Sequence, residues 1–477
     1  MSSFESSFSD LRDWIQWLVL PKQQYLMLHF DADESDYVRF NQAKVRQAGR
    51  VCTLKLTLVL VEKRADGRAA QLQFQLNGSG EALIDRARCS QALERLQGLM
   101  VEAASDPLLL FNETPSSSEH SLVADLPGIE VMVHTIEQAV SDYDQDGANG
   151  GVDLVGFLGL GPRARGLLSS LGHSHYQSKH SYFFDFSVYA GGLSFPKSAD
   201  IRDKAVKQSI SDTRWEPERI ATAIRAAAEQ SQVLLKPAKR LAPGHFRAWL
   251  APAAVADLLE MMAWGGFSLS SLRRGNSPLE RAYGGMSGTE SFTDRLKFSP
   301  LMTVSDCPSE AGVPRFQGEG FVGPETVRLI EKGVAAELLT SPRSAQEFSS
   351  PHNGYSPGES PRAIKLHPGT MDEAQAMQAL GTGLYISNLW YLNFSDRLNC
   401  GVTGMTRFAS LWVENGVPVA PLSAMRIDDS LYQVFGEQLE ALGSVSHAIA
   451  NVSTYDQRAF GATYAPGALV KALRLTL

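Results

Sequence analysis

Cysteine is scarce and scattered in this chain of 477 residues: Cys52, Cys89, Cys307 and Cys400 form no C-x-x-C pair. That spacing excludes a disulfide framework and a thiolate zinc site. No apolar run approaches the roughly 20 residues that cross a bilayer as a helix. The first ten residues, MSSFESSFSD, carry neither the basic region nor the apolar core of a secretory signal. A basic excess is missing too, with 44 Lys+Arg against 52 Asp+Glu and a net charge of −8. Nucleic-acid binding wants a clustered Lys/Arg surface, so that partner class is excluded along with the membrane. No G-x-S-x-G nucleophile elbow occurs. A reduced, cytoplasmic protein is the expectation.

What is present is the composition of a folded protein, 44% hydrophobic and 20% charged. The length suits two or three domains. The readings along the chain give an α+β protein: an N-terminal α/β-type sheet-and-helix region followed by a β-rich, barrel-like C-terminal domain. Residues 1–111 form the first unit. A short helix over 11–20 ends at Pro21. Leu54, Leu56, Leu58 and Leu60 share one face of a strand, and Asp66-Gly67 turns the chain into a second alternating run through Leu72, Phe74 and Leu76. A helix over 81–101 covers this sheet. The polar stretch 112–119 (NETPSSSE) is a linker. Residues 120–235 form a middle α+β unit with helices over 129–140 and 216–230 and strands over 152–160 and 182–190. Pro237 and Pro243 mark the boundary to the third unit, 240–477, which has helices over 252–264 and 371–379.

Three constellations invite a ligand. Asp142, Asp144, Asp146 and Asp153 follow the oxygen spacing of a calcium loop, although Asp153 replaces the usual glutamate and a strand follows; a solvated acidic turn is the alternative. Gly159-x-Gly161-x-x-Ala164 follows a strand, but Pro162 removes an amide that phosphate binding would use, so a tight turn is preferred. His173 and His175 fall on one strand face and His180 lies close by; the polar setting HSHYQSKH favours an exposed hairpin over a metal site.

The most specific stretch is 381–421. Gly383-Leu384-Tyr385-Ile386 is a short strand, Gly401-Val402-Thr403-Gly404 a glycine-punctuated turn, and Trp412-Val413-Glu414-Asn415-Gly416 the start of a hairpin. In this order they resemble the C-terminal region of the TldD/TldE (PmbA) family, once called modulators of DNA gyrase. Tyr37–Asn41 with Val45–Gly49, Gln317–Gly320, Thr326–Val334 and the Ser360–Thr370 segment extend the resemblance more weakly. The family implies zinc-dependent peptide cleavage by a TldD subunit working with a TldE partner.

A zinc peptidase needs two histidines on one helix, a carboxylate base and a third ligand. The resemblance locates the family's H-E-x-x-x-H at the helix within 245–267, where Glu260, Met261 and Gly265 stand in place of His, Glu and His. The family's third ligand is a cysteine near the C-terminus, and the comparable stretch 451–460 has none. Ala254, Leu258, Met261, Met262 and Gly265 repeat at the spacing of a core helix. The resemblance therefore implies a TldE-like subunit without catalytic residues or cofactor of its own. Zinc is expected in a TldD-like partner, and a flexible or unfolded peptide is the expected substrate of the pair. Trp390, Tyr391, Phe394 and Trp412 are candidates for a peptide-holding wall, with core packing the alternative. Two other functions stay open: a stand-alone peptide-binding protein, and a hydrolase whose metal site has moved to the Asp142 loop or the His173 cluster.

Overall fold

Period-two alternation over unusually long runs builds the first sheet of the protein. The computed structural model describes residues 3–63, 67–78, 81–145, 151–190, 205–285 and 295–477. In chain order the N-terminal half contains α1 (Ser3–Gln16), β1 (Gln24–Asn41), β2 (Lys44–Glu62), β3 (Arg68–Gln75) and α2 (Ala82–Leu99). It continues through β4 (Ser117–Leu122), α3 (Ile129–Gln145), β5 (Val152–Ser169), β6 (Ser174–Ala190), β7 (Val206–Asp212) and α4 (Pro217–Val233). Strand order is β3-β2-β1-β5-β6-β4, with β7 also paired to β6. Residues 1–111 and 120–235 thus contribute to one sheet, joined by the antiparallel β1–β5 ladder.

Alternation decides what covers that sheet. Leu26, Leu28, Phe30 and Ala32 of β1 pack with Leu54, Leu56, Leu58 and Leu60 of β2 under α1 and α2. Further along the same face, Val38, Phe40, Leu158 and Phe184 pack under α3 and α4. The helix α1 begins earlier than the sequence suggests, because Phe4, Phe8, Leu11 and Ile15 form one buried stripe that the surrounding serines disguise. The expected linker is partly strand: β4 pairs in parallel with β6 and supplies its edge with backbone partners. Gly159 and Gly161 lie inside β5 rather than in a turn. Gly159 faces the Phe183 ring, and a Cβ on Gly161 would meet the Glu34 carbonyl oxygen at 2.0 Å. Close approach of two strands is what those glycines permit, and no phosphate-binding strand-turn-helix exists there.

The C-terminal half starts with β8 (Gly244–Leu250) and α5 (Pro252–Ala263). One sheet runs Trp390–Asp396, Gly401–Met405, Arg426–Ser430, Ala468–Thr476, β8, Gly383–Ile386, Ser410–Glu414, Val417–Pro421. A second runs Val334–Ala335, Val327–Glu331, Val304–Asp306, Ile364–Leu366, Ala462–Ala465, His447–Ala450. Among the described residues neither closes into the barrel that the β-rich pattern suggested. Pro418 and Pro421 occupy one edge strand of the larger sheet, and prolines cannot donate to a further strand. Asn415 and Gly416 both take positive φ, 51° and 78°, the backbone of a two-residue hairpin. The expected helix over 371–379 is shorter, Ala376–Leu380 after a 3₁₀ turn. No described helix is long and apolar enough to cross a membrane.

The uncovered face of the first sheet docks on the C-terminal half. Met27, Leu167 and Phe316 form its apolar part. Its polar part is a buried network. The Arg458 side chain, 7% exposed, donates to Asp33 Oδ1 at 3.2 Å, to Ser181 O at 3.1 Å and to Gly161 O at 2.5 Å. Arg163 donates to the carbonyls of Ala32 and Arg458 and pairs with Asp31. Removing one partner strands a buried charge, which is far costlier than losing an exposed ion pair. Asp33→Ala is expected to lower unfolding free energy by about 3–5 kcal/mol in urea titrations; a loss below about 1 kcal/mol would show that the network is not the clamp.

Candidate active-site cleft

Two neighbouring strands of the larger C-terminal sheet, β8 and Gly383–Ile386, run parallel. Their C-terminal ends therefore open at the same edge, the usual place for a ligand crevice in open sheets. From β8 the chain turns at Ala251, whose amide donates to Ile386 O at 2.9 Å, and enters α5. From Ile386 it passes through Ser387 and Asn388 to Leu389, whose amide donates to Asp257 Oδ2 at 2.9 Å. Across from these lies the N-terminal half, with Lys207 on β7 and Arg219 on α4. Together they line a cleft of about 570 Å³, completed by the segment around Asn451–Ser453.

The helix at the bottom of this cleft has a split character. Ala254, Val255, Leu258, Leu259, Met261 and Met262 are buried in the C-terminal core, which gathers side chains from both C-terminal sheets around α5. Asp257 and Glu260, three residues apart and so on one helix face, line the cleft instead. Burial pushes the Asp257 carboxyl up to about 7; the neighbouring Glu260 adds to this, while the Leu389 amide and Lys207 oppose it. Glu260 is open to solvent at the cleft mouth, yet the surrounding walls still raise its carboxyl, against the Thr463 hydroxyl that donates to Oε1 at 3.2 Å.

Sequence reasoning put Glu260, Met261 and Gly265 at the decisive positions, and the structure separates them. Glu260 faces the cleft, Met261 is 6% exposed in the core, and Gly265 lies beyond the end of α5 with φ +80°. A Cβ at Gly265 would come within 2.8 Å of the Arg397 guanidinium and 3.1 Å of Ser271 Oγ. Asp257 and Glu260 share the cleft lining with His447, which pairs with Glu373, and among the described residues no group of three His, Cys, Asp or Glu could hold a metal. This donor set does not fit a catalytic zinc, which needs three protein ligands, usually including histidines, beside its open position. The stretch compared with the family's third ligand does reach the cleft: Asn451 and Ser453 line it.

The other sequence candidates fall elsewhere. Asp146 lies outside the described residues. Asp142 accepts from Gln138 Nε2, Asp144 accepts from the Val152 amide at 3.1 Å, and burial raises the Asp153 carboxyl on β5. His173 and His175 do share a strand face, but that face is buried rather than exposed, each residue being 1% accessible. Ser116 Oγ lies 3.2 Å from His173 Nδ1 and 3.0 Å from His175 Nε2, and Ser118 Oγ lies 2.8 Å from His175 Nδ1. Burial, then His173, lowers the His175 imidazole to about 4. These histidines fasten β4 to β6. Trp390, Tyr391 and Phe394 lie on the edge strand Trp390–Asp396, with Tyr391 80% exposed, and Phe394 stacks under Arg397. Trp412 sits 4.3 Å below the Lys239 ammonium and donates to Glu414. None of these four aromatics lines the cleft; Tyr385, Ser387 and Asn388 do. Asp257, Ser387 and Asn388 were missed, although an acidic residue one turn before Glu260 on an otherwise apolar helix was a readable signal.

Comparison with known proteins comes to the same region. Residues 243–477 match the model of the PmbA/TldA metallopeptidase C-terminal domain. No curated protein matches the sequence. A Thermotoga maritima protein described as a modulator of a DNA gyrase has a TM-score of 0.72 at 16% identity, over 99% of both chains. TldE from Thermococcus kodakarensis has a TM-score of 0.73 at 12% identity, over 99% of this chain and 100% of that one. A modulator of DNA gyrase from Bacteroides thetaiotaomicron has a TM-score of 0.71 at 13% identity, over 100% of this chain and 99% of that one. At such identities the likeness is one of fold.

Two outcomes test this geometry. An unfolded Asp257 ionises near 4 and the folded one near 7, so its contribution favours folding fully below about pH 4 and is lost as pH rises through about 7. Relative to the wild type, Asp257→Asn should therefore gain on the order of 2 kcal/mol between pH 4 and pH 8 in urea titrations, allowing for partial exposure. A constant difference across that range would refute the burial argument. Separately, Glu260→His with Met261→Glu and Gly265→His should retain no zinc after dialysis. It should also lose more than about 4 kcal/mol, from a buried carboxylate at 261 and a left-handed histidine at 265. Elemental analysis finding stoichiometric zinc in a stable protein would overturn that reading.

Proposed function

Since the chain is a member of the TldD/TldE (PmbA) family, we propose that it serves as the TldE-like, non-catalytic subunit of a peptide-processing complex. In this reading a TldD-like partner carries the zinc and does the cutting. The present chain supplies part of the wall that holds an unfolded or flexible peptide. One observation carries the proposal: the helix that the resemblance aligns with the family's metal motif lies beside a cleft, but turns Met261 into the core and ends before Gly265. What faces the cleft is a carboxyl pair, Asp257 and Glu260, which can bind and orient a peptide.

An extended peptide needs few particular side chains, because exposed strand edges can hold it by main-chain hydrogen bonds. Residues of β7 and of the strand His447–Ala450 line the cleft. The likeness to TldE from Thermococcus kodakarensis supports the subunit assignment at the level of fold.

The purified chain alone is expected to leave an unfolded peptide uncut, by mass spectrometry, and to carry no stoichiometric transition metal. Mixed with a family subunit bearing H-E-x-x-x-H, it should co-elute and yield cleavage that a chelator abolishes. Chelator-sensitive cleavage by the chain alone would sink the proposal.

A further inference from the structure

Resting on that peptide-holding role, we propose that Asp257, Glu260, Ser387 and Asn388 form a cation-recognition site, which captures an ammonium or guanidinium group of the bound peptide. The first observation is the surplus of acceptors at one end of the cleft. Asp257 and Glu260 project from the same helix face, each with one oxygen engaged, by the Leu389 amide and the Thr463 hydroxyl respectively. The second is independent of the carboxylates. Ser387 is 6% exposed and lines the same cleft, and its Oγ has no hydrogen-bond partner among the described residues. The buried Asn388 Oδ1 beside it is equally without one. Buried polar atoms left unmet are costly, and native proteins carry few of them without a purpose. A group with several N–H donors matches the two carboxylates and the free acceptor Asn388 Oδ1, and the Ser387 hydroxyl can accept from it as well; an anion could use only the donors of Ser387 and Asn388, against two carboxylates.

Other charges around the pair are consistent with this. Lys207, whose field reaches Asp257, is itself 3.7 Å from the Asp185 carboxylate, and Arg219 is 2.6 Å from Asp212. Both cations are thus drawn toward their own partners rather than filling the site. His447, which also lines the cleft, is paired with Glu373 at 2.7 Å. A metal ion is the poorer occupant. With no third His, Cys, Asp or Glu at hand among the described residues, hard cations would lack the six or more oxygens, several of them anionic, that they prefer.

The cation can come from the free N-terminus of a peptide or from a lysine or arginine side chain, and the test separates the two. Calorimetry on the full chain would compare short peptides of one common neutral sequence: N-acetylated and amidated, with a free N-terminus, acetylated with one central Arg, and acetylated with one central Glu. At least one cationic peptide should bind about ten-fold more tightly than the neutral one, and the Glu peptide more weakly. Which cationic peptide wins identifies the source. The double variant Asp257→Asn with Glu260→Gln should bring the cationic and neutral peptides to within about two-fold of each other in affinity. Ser387→Ala should weaken cationic binding several-fold in a protein with an unchanged melting curve. Equal affinities in the wild type, or a preference that survives the double variant, would overturn this inference while leaving the peptide-holding role intact. Binding of none of the peptides would overturn both. Stoichiometric uptake of Mg²⁺, Ca²⁺ or Zn²⁺ that the double variant abolishes would replace the organic cation with a metal.

Discussion

The buried contact of Arg458 and Arg163 with Asp33 and Asp31 is the constraint on which the rest of the structure depends. It ties a segment near the C-terminus to β1 and β5, more than 270 residues away in sequence. Two arginines and a carboxylate taken out of water are tolerable only when nearly every donor finds an acceptor, and here the acceptors are carbonyls of β1, β5 and β6. The geometry of the first sheet therefore fixes the position of residues 455–460. Those residues adjoin Asn451–Ser453, which line the cleft. With the apolar contact of Met27, Leu167 and Phe316, the clamp sets β7 and α4 against α5 and gives the cleft its opposite wall.

Packing also explains how α5 keeps its place without a bound metal. The apolar side of α5 is held by side chains from two sheets, so its position is set by Leu258, Leu259 and Met262 and not by a metal. Once that core is complete, the cleft-facing residues are free to differ. Asp257 and Glu260 occupy the exposed stripe, while Met261 adds to the core, where a glutamate could not remain charged without a partner. Gly265 goes further: its left-handed backbone and the nearby Arg397 guanidinium and Ser271 Oγ disfavour any side chain there.

Much of the fold was legible because it rests on local periodicity. Leu54, Leu56, Leu58 and Leu60 announced a one-sided strand, Asn415-Gly416 announced a hairpin, and the apolar repeat around Leu258 announced a core helix. The failures have physical causes as well. The strand β4 was hidden in a polar segment because its partner is β6, and its serines are consumed by His173 and His175. The helix α1 was hidden because Phe4 and Phe8 carry its stripe among serines. The glycines of β5 looked like a turn because the contact they permit, with Glu34 and Phe183, lies across the sheet.

Sequence alone determined the family resemblance, the α+β character and the presence of Glu, Met and Gly at 260, 261 and 265, since each is a matter of residue type and short-range spacing. Tertiary structure decided the site. Asp257, Ser387 and Lys207 belong to three segments with no periodic or motif relation to one another. They meet only because two parallel strands end at one edge and a buried ion network holds the other half of the molecule against it. Long-range docking of that kind leaves no local signature in the chain.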